Sequence, residues 1–547
     1  MSERLSLGLD FGTESVRALL LDLVDGRERA VASEPFAHGV MDEVFLPSGE
    51  RLPPHFALQH PRDYIEAAGR ATRRALESAG VDPSAVLGIG IDFTACTPLP
   101  LDRRGEPLCF DPAFEREPHA YVKLWKHHGA IPEAERMNAV ARERGESFLA
   151  RYGGTLSSEW LLPKLLELLR AAPKVAAAAA RFVESSDWLV ERWTGQRLRG
   201  ACAAGYKGLV DAEGEHPSSS YLAAVDPRLP SELARLVPAD PLVPAGVEAG
   251  VLGERGAAEL GLRRGIPVSG PIIDAHAAVP GCGVGRAGTL VAILGTSACH
   301  MLLGEREVAV TGIQGVVQDG ILPGFFGYEA GQAGFGDLFG WFVERLLGRE
   351  DAAFADLERR ASALPAGRHG LLALDWWNGN RSILIDPELS GLIVGLDLST
   401  TREQIYAALV EAAAFGTRRI LENFEQHGLR CDEVRACGGI AVRSPFVVQT
   451  LADITARTWT VIEAPETCAR GAALCGAVAA GSARGGFDSM AAALRSLPEP
   501  PQRRVTPRVE TRAIYDQLYA LWRELHDHFG LRAKHLMHAL RQVRREA

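Results

Sequence analysis

Two short segments that lie far apart in the chain combine residue types suited to binding phosphate. Gly12-Thr13-Glu14-Ser15 and Gly295-Thr296-Ser297 each stand between two apolar runs. Glycine allows a ligand to approach the backbone closely, so the amide N–H groups and the Thr and Ser hydroxyls of such a turn can bind phosphate oxygens. One segment of this kind is more often an ordinary turn, but its recurrence favours a nucleotide site.

Asp10 precedes the first of these turns by two residues. A carboxylate beside a phosphate would repel it unless a cation stood between them, so Asp10 is a candidate for binding Mg²⁺ through water. A solvated turn aspartate is the alternative. The second segment has Leu294 where the first has Phe11, and no aspartate lies beside it. We therefore expect a metal on one side only.

A third glycine cluster, Gly438-Gly439, ends a β-prone run and precedes Arg443 and then Gln449, which lies on a predicted helix. Paired glycines admit a flat ligand against the backbone, and a helix N-terminus presents a positive dipole end. An ordinary strand-to-helix turn explains the same pattern equally well.

Asp274, in the sequence PIIDAH, is a candidate general base because it follows an apolar run and precedes small residues suited to a helix. Aspartate is also a preferred helix N-cap, and an aspartate at a helix start can still face a ligand site. Trp125, Lys207 and Glu329 are aromatic or charged residues that could bind a polyol. Taken singly, each is more often a surface or packing residue.

Other nucleotide and metal patterns fail. No lysine follows a glycine, which excludes the phosphate loop G-x-x-x-x-G-K-[ST]. The glycines between residues 281 and 288 precede a predicted strand, whereas a dinucleotide fingerprint follows a strand and opens a helix. The nine cysteines have neither Cys-x-x-Cys nor zinc-ligand spacing, so we expect reduced thiols in a cytoplasmic protein.

The candidate residues lie between segments that are predicted to be strands and helices in alternation. Residues 5–22 and 289–303 each read as an apolar run, a polar turn and a second run, which predicts a β-hairpin. Two hairpins could coincide by chance, but we interpret them as the openings of two copies of one domain. β-prone runs at 87–93 and 434–440 alternate with helical patterns, which predicts an α/β fold. The main helical patterns cover residues 61–77, 157–172, 403–427 and 512–529.

Length and composition exclude several classes of protein. A chain of 547 residues is too long for one hydrophobic core, which stops growing at roughly 250–300 residues. Hydrophobic residues make up 47% and charged residues 23%, which excludes general disorder. The net charge of −10 and the lack of a long basic run argue against nucleic-acid and anionic-membrane surfaces. Neither a signal segment nor an apolar run long enough to span a bilayer is present.

The motifs taken together resemble the FGGY family of carbohydrate kinases. The resemblance runs in order through most of the chain, with nothing carried over beyond residue 490. One departure is the segment PKLLEL at 163–168, which lacks the tryptophan of the general family signature. The segments that carry the resemblance are GLDFGTESVRALL (8–20), GIDFTACTPLPLD (90–102), LWKHH (124–128), YGGTLSSEW (152–160), AAGYKGL (203–209), GPIIDAH (270–276), ILGTSACHMLL (293–303), PGFFGYEAGQAGFGD (323–337), LDWWNGNR (374–381) and GGIAVRSPFVVQTLAD (438–453).

This resemblance implies an α/β fold of two ribonuclease-H-like, actin-like ATPase domains with an interdomain cleft. We expect an N-terminal sugar-binding domain at 1–285, a C-terminal ATP-binding domain at 286–490 and a helical extension at 491–547. The implied phosphate contacts are Gly12, Thr13, Ser15, Gly295, Thr296 and Ser297. The implied adenosine contacts are Gly438, Gly439, Arg443 and Gln449. The implied sugar contacts are Ala95, Trp125, Lys207, Asp274 and Glu329.

The activity that the resemblance implies is transfer of the ATP γ-phosphoryl group to a sugar hydroxyl, with Asp10 acting on Mg²⁺ and Asp274 as the base. Within the family, the segments around Trp125, Lys207 and Glu329 favour L-ribulose as the substrate. Another pentulose, D-ribulose or D-xylulose, is the first alternative, and an actin-like ATPase without a sugar substrate is the second. A homodimer is a further possibility.

Overall fold

The computed structural model describes residues 3–348 and 352–546. The strands are β1 (Leu5–Phe11), β2 (Ser15–Asp22), β3 (Glu28–Pro35), β4 (Val44–Phe45), β5 (Glu50–Arg51), β6 (Leu58–Gln59), β7 (Val86–Phe93), β8 (Pro98–Leu101), β9 (Val122–Lys123), β10 (Arg181–Glu184), β11 (Arg199–Gly200), β12 (Leu242–Val243), β13 (Glu248–Val251), β14 (Pro267–Ser269), β15 (Ile272–Ile273), β16 (Thr289–Leu294), β17 (Ala298–Gly304), β18 (Gly315–Gln318), β19 (Phe326–Gln332), β20 (Leu372–Leu374), β21 (Leu392–Val394), β22 (Glu433–Cys437), β23 (Trp459–Ile462) and β24 (Gln502–Val505).

The α-helices alternate with these strands along the chain. They are α1 (Pro61–Ala79), α2 (Ile131–Arg144), α3 (Leu161–Ala171), α4 (Pro173–Ala178), α5 (Ser185–Thr194), α6 (Ala201–Lys207), α7 (Ser219–Val225), α8 (Leu229–Leu236), α9 (Glu254–Leu260), α10 (Asp274–Gly281), α11 (Gly336–Gly340), α12 (Ala352–Ser362), α13 (Arg402–Gln426), α14 (Gly439–Arg443), α15 (Pro445–Thr455), α16 (Thr467–Ala480), α17 (Met490–Ser496), α18 (Arg512–Asp527) and α19 (Lys534–Glu546).

Two sheets organise the molecule, which confirms the predicted α/β class. The first has the order β13-β14-β7-β1-β2-β3, with β15 also paired to β7. The second has the order β18-β19-β17-β16-β22-β23-β24. In each sheet a hairpin is followed, much later in the chain, by a strand that pairs in parallel with the first strand of the hairpin: β7 with β1, and β22 with β16. Both predicted hairpins are therefore present, each at the centre of its own sheet.

The chain forms two compact units, and neither is a continuous segment. The N-terminal unit comprises residues 1–285, 317–327 and 466–499, and the C-terminal unit comprises 286–316, 328–465 and 500–547. The sequence-based limits 1–285, 286–490 and 491–547 stay a prediction about functional domains. Among the described residues, no helix combines the length and hydropathy that crossing a membrane requires.

Helix α16 explains why a late segment belongs to the N-terminal unit. It packs on β1 and β7, where both strands carry glycines facing the helix. A Cβ on Gly90 would lie 1.7 Å from the carbonyl oxygen of Ala472, and one on Gly8 would lie 2.0 Å from that of Ala469. Only glycine permits so close an approach of helix backbone to sheet backbone.

Most predicted helices are confirmed, with shifted ends. The pattern at 157–172 becomes α3, which begins only at Leu161, after Trp160 as an N-cap in extended conformation. The predicted helix at 512–529 becomes α18, which ends at Asp527 before a π-helical turn. The β-prone run at 434–440 ends at Cys437, and α14 begins at Gly439.

Candidate active site

The turn between β1 and β2 is held from outside as well as by its own backbone. The Gly12 N–H donates to the carbonyl oxygen of Ser15 over 3.0 Å. The Thr13 carbonyl accepts from Gln59 Nε2 over 2.6 Å, and the Thr13 hydroxyl oxygen lies 3.0 Å from Trp125 Nε1, which donates to it. A residue predicted to contact phosphate is thus in direct contact with one predicted to contact sugar.

Three aspartates meet at the carboxyl ends of neighbouring parallel strands in this unit. Asp10 on β1 lies opposite Asp92 on β7 in the register of the two strands. β15 pairs in parallel with the end of β7, and Asp274 follows β15 directly as the first residue of α10. Ligands of α/β folds bind at such strand ends, so this edge of the sheet is the candidate reaction site.

Asp10 is buried and forms an ion pair with Arg17. Arg17 Nη1 lies 3.0 Å from Asp10 Oδ2, and Arg17 Nε lies 3.3 Å from Glu466 Oε2. Burial alone would lower the pKa of Arg17, but the charges of Asp10 and Glu466 outweigh it and raise that pKa above its usual value. Arg17 therefore stays charged and compensates part of the acidic cluster.

Asp92 is completely buried, and no donor among the described residues reaches either of its carboxyl oxygens. Burial raises the pKa of Asp92 well above its usual value, and the charge of Asp10 raises the pKa further. Two neighbouring carboxylates cannot both ionise cheaply in a buried place, so the protonated form of Asp92 is favoured unless a cation binds nearby.

Asp274 is only partly buried, unlike Asp92. One of its carboxyl oxygens, Oδ1, accepts from the backbone N–H of Ala275 over 2.7 Å. The N-cap residue of α10 is Ile273, so Asp274 occupies the first helical turn. A carboxylate in this position remains accessible while the helix N-terminus stabilises its charge.

The other sugar candidates of this unit surround the same strand ends. Ala95 follows β7, and the N–H of its neighbour Thr94 donates to the carbonyl oxygen of Phe11. Lys207 ends α6 and is buried, with its Nζ 5.8 Å from the ring centre of Tyr206 and 6.0 Å from that of Trp160. Both distances lie within the range of cation–π contact.

Glu329 is the one sugar candidate that belongs to the C-terminal unit. It lies on β19, is 2% exposed, and its Oε1 accepts from Arg381 Nη2 over 3.0 Å. The ion pair compensates the buried carboxylate within that unit. Ala95, Trp125, Lys207 and Asp274 all belong to the N-terminal unit.

The second predicted phosphate turn has the same backbone closure as the first. The Gly295 N–H donates to the carbonyl oxygen of Ser297 over 3.0 Å. The Thr296 carbonyl accepts from the N–H groups of Phe335 and Asp337, which fixes the turn against the start of α11. The Thr296 side chain remains exposed.

The glycine pair after β22 approaches this hairpin. Gly438 has a φ of +93°, and a Cβ on it would lie 2.6 Å from the carbonyl oxygen of Leu294, so both backbone conformation and space require glycine. A Cβ on Gly439 would lie 2.6 Å from Arg443 Nη2, which shows that the guanidinium covers this glycine.

Arg443 and Gln449 border a cavity of about 500 Å³ between α12, α13 and α15. Gln449 Nε2 donates to Asp453 Oδ1 over 2.9 Å and to the Thr506 carbonyl over 3.0 Å. Both amide hydrogens of Gln449 are therefore engaged within the unit.

Sequence reasoning missed Asp92 and Arg17. A signal for Asp92 was present: Gly8-Leu9-Asp10-Phe11 and Gly90-Ile91-Asp92-Phe93 have the same spacing of glycine, aspartate and phenylalanine. Paired parallel strands with this pattern bring the two aspartates together. Arg17 had no such signal, because its contact depends on the length of the hairpin turn.

Elsewhere, one group of three metal-type side chains lies close together among the described residues: His38, His60 and Asp63. Asp63 already accepts from the backbone N–H and Nδ1 of His38, and His60 Nδ1 accepts from the N–H of Arg62 as the cap of α1. The two imidazole rings are stacked 4.4 Å apart, so their in-plane lone pairs do not converge on one ion. We interpret the group as a hydrogen-bonded helix cap.

Comparisons with known proteins agree with this geometry. The chain is 46% identical to a ribulokinase of Geobacillus thermodenitrificans, covering 100% of this chain and 98% of the relative. It is also 46% identical to a ribulokinase of Anoxybacillus flavithermus, with the same coverage. Among solved structures, xylulose kinase from Rhodospirillum rubrum superposes with a TM-score of 0.78 at 24% identity, covering 96% of this chain and 99% of that one.

The family assignment rests on both halves of the chain. Residues 5–281 match the N-terminal domain of the FGGY family of carbohydrate kinases, and residues 290–480 match its C-terminal domain. The fold is that of the actin-like ATPases, and kinases of this family use ATP and a sugar as substrates. The chain belongs to the FGGY family of carbohydrate kinases.

Proposed function

We propose that the protein phosphorylates L-ribulose at its terminal 5-hydroxyl with ATP, giving L-ribulose 5-phosphate and ADP. The observation that carries the proposal is the meeting of Asp10 and Asp274 at the strand ends beside the Gly12-Thr13 turn. The whole-length identity of 46% to two bacterial ribulokinases supports L-ribulose over the other pentuloses.

Asp274 accepts the proton of the attacking hydroxyl in this proposal. As the hydroxyl oxygen bonds to the γ-phosphorus, the bond from that phosphorus to the bridging oxygen of ADP breaks, and the proton passes from Asp274 to solvent after product release. Phosphoryl transfer asks the protein mainly for alignment and charge stabilisation. The partial exposure of Asp274 supports this role, because a base must reach its substrate within hydrogen-bond distance.

We assign the sugar to Ala95, Trp125, Lys207 and Glu329, in addition to Asp274. Lys207 contributes a buried ammonium held over two aromatic rings, and Glu329 contributes a carboxylate that accepts a hydrogen bond from Arg381. Trp125 offers an exposed aromatic side chain, and the small side chain of Ala95 leaves room beside β7. A polyol needs several such donors and acceptors around an apolar surface.

ATP is bound through two turns and one glycine pair. We assign the phosphates to the backbone and hydroxyl groups of Gly12, Thr13, Ser15, Gly295, Thr296 and Ser297. We assign the adenosine to Gly438, Gly439, Arg443 and Gln449. The cavity of about 500 Å³ beside Arg443 supports this, since pockets for small molecules have volumes of roughly 300–1,000 Å³.

The acidic cluster suits Mg²⁺. Asp92 is a buried carboxyl group that no donor among the described residues reaches, and Asp10 has one oxygen paired with Arg17, so added positive charge would be stabilised here. Asp10 would hold the ion, through water. A bound Mg²⁺ would neutralise phosphate charge, while Asp10 and Arg17 keep the local charge balanced.

A coupled assay of ADP release tests the proposal. The protein is assayed with ATP and Mg²⁺ against L-ribulose, D-ribulose, D-xylulose and related polyols, and kcat/KM is compared. We expect the highest kcat/KM for L-ribulose and little ATP hydrolysis without sugar. A higher value for D-ribulose or D-xylulose would select the alternative pentulose, and equal ADP release with and without every sugar would favour an ATPase of another kind. A homodimer and a cytoplasmic location stay predictions.

A further inference from the structure

Helix α3 carries two charged residues one turn apart on its buried face, Lys164 and Glu167. Lys164 is 0% exposed, and its ammonium donates to the carbonyl oxygens of Cys96 over 2.7 Å and Leu124 over 2.8 Å. A third carbonyl, that of Lys123, lies at 3.4 Å. A buried charge is costly unless hydrogen bonds compensate it, and here three backbone oxygens do so.

Glu167 holds the segment of residues 123–127 by accepting hydrogen bonds from two side chains of that segment. Its Oε2 accepts from Lys123 Nζ over 2.9 Å and from His127 Nε2 over 3.0 Å. Burial alone would raise the pKa of Glu167, but the charge of Lys123 and the hydrogen bond from His127 lower it below the usual value. Burial lowers the pKa of His127 to about 3, so its ring is neutral and its Nδ1 accepts from the N–H of Ala57.

These contacts bracket two residues that the proposed function assigns to sugar. Residues 123, 124 and 127 are fixed on either side of Trp125, whose indole N–H donates to the Thr13 hydroxyl. Ala95 immediately precedes Cys96, whose φ of +61° is unusual for a residue with a side chain. One ammonium therefore fixes the carbonyls next to both Ala95 and Trp125.

We propose that Lys164 and Glu167 are positioning residues of the sugar site, which hold the Ala95 and Trp125 segments in register with the Thr13 turn. This inference rests on the proposed function. A role in stability alone would not need these residue types, because apolar residues that replace a buried ion pair are often neutral or stabilising. The charged side chains have a reason to be present if they hold the neighbouring segments in place through hydrogen bonds, because an apolar side chain cannot form such bonds.

The test compares Lys164→Met, Trp125→Phe and the double variant with the full-length enzyme, using L-ribulose and ATP. Lys164→Met keeps the aliphatic chain and removes the ammonium, and Trp125→Phe removes the donor to Thr13. A misplacement of about 1 Å can cost roughly 10²-fold in rate, so we expect Lys164→Met to lower kcat/KM for the sugar by about 10–100-fold. If Lys164 acts through Trp125, the double variant loses no more than the more damaging single variant.

A matched control separates positioning from stability. Arg235 in α8 donates to the carbonyl oxygens of Ala176 and Ala179, so Arg235→Met removes a cation from backbone carbonyls elsewhere in the same unit. We expect it to lower Tm with kcat/KM unchanged. If Lys164→Met does not fold, Glu167→Gln with Trp125→Phe provides the same double-variant comparison.

The outcomes are distinct. A folded Lys164→Met enzyme with kcat/KM within twofold of the wild type would overturn the inference, as would losses that multiply in the double variant. Restoration of kcat/KM by Lys164→Arg, but not by Lys164→Leu, would support it. A wild-type enzyme that phosphorylates no pentulose would instead refute the proposed function, whatever the variants do.

Discussion

The hairpins β1–β2 and β16–β17 have the same arrangement of paired strands and differ in the side chains that this arrangement brings together. In both hairpins, the first strand pairs antiparallel with the second strand and parallel with a strand much later in the chain. A glycine directly after the first strand closes the turn. At the position of Asp10 the second hairpin has Ile293, whose partners are Cys299 and Cys437 instead of Arg17 and Asp92.

This difference indicates which proposed roles both units can fill and which only the N-terminal unit can fill. Backbone N–H groups and hydroxyls recur in both turns, so both suit the proposed phosphate contacts, whereas the pair of aspartates beside the turn occurs only in the N-terminal sheet. In the proposed reaction, a cation and a base are needed only where phosphate meets sugar. Under that proposal, the duplicated fold would supply two phosphate-binding turns, and the aspartates of one copy would supply the metal ligand and the base.

The largest effect is expected at Asp274. Asp274→Asn removes the proton acceptor while it keeps the size and the hydrogen bond to the Ala275 N–H. We expect kcat to fall by at least roughly 10²–10⁴-fold, with sugar binding retained. Steady-state ADP release and calorimetric titration with L-ribulose measure the two quantities. Near-normal turnover would remove Asp274 from the chemistry.

The next effect tests the asymmetry of the two hairpins directly. Asp10→Asn should raise the Mg²⁺ concentration for half-maximal activity by roughly 10–100-fold, as expected for a residue that binds the ion through water. Ile293→Val, at the corresponding position, should leave the Mg²⁺ dependence unchanged. Equal shifts in the two variants would contradict a metal site on one side only.

The fold was predictable where local pattern decides it. Apolar runs around a polar turn predicted both hairpins, and the helical patterns at 61–77 and 403–427 predicted α1 and α13, whose bounds are Pro61–Ala79 and Arg402–Gln426. The Gly-Thr turns themselves were predictable for the same reason, because a turn's composition is local, and their contacts with phosphate stay a prediction.

Contacts between distant segments were not predictable in the same way. The return of α16 to the first sheet depends on glycines at 8, 88 and 90, which look like weak strand residues until a helix is placed against them. The Trp125–Thr13 hydrogen bond and the three carbonyls around Lys164 depend on side-chain reach after folding. The spacing of residues in the sequence does not predict such contacts.

The glycine contact with α16 gives a third test, since the second sheet has Val291 and Arg435 at the positions of Gly8 and Gly90. Gly90→Ala would place a methyl group 1.7 Å from the Ala472 carbonyl oxygen. We expect a loss of at least about 1–3 kcal/mol, seen as a lower urea midpoint. Gly340→Ala in α11 is the control, because its Cβ would meet nothing closer than 3.7 Å. An equal loss there would contradict the packing argument.

The smallest effect concerns His300 on β17, whose counterpart in the first hairpin is Ala18. His300 is completely buried, and neither ring nitrogen finds a hydrogen-bond partner within the described part of the chain. Burial lowers its pKa to about 3, with the charge of Arg381 adding to this. Since the unfolded chain has a histidine pKa of about 6.5, the neutral ring contributes stability above that pH, and the contribution is lost as pH falls toward 3.

His300→Leu should therefore gain stability relative to the wild type as the solution becomes more acidic. The expected difference is about 1.4 kcal/mol per pH unit below 6.5, or about 2 kcal/mol between pH 7.5 and pH 5. Urea unfolding of both proteins at the two pH values measures it, with the exposed His535 changed to Gln as the control. A stability difference independent of pH would mean that His300 has the same pKa in the folded and unfolded protein, which would contradict the argument from burial.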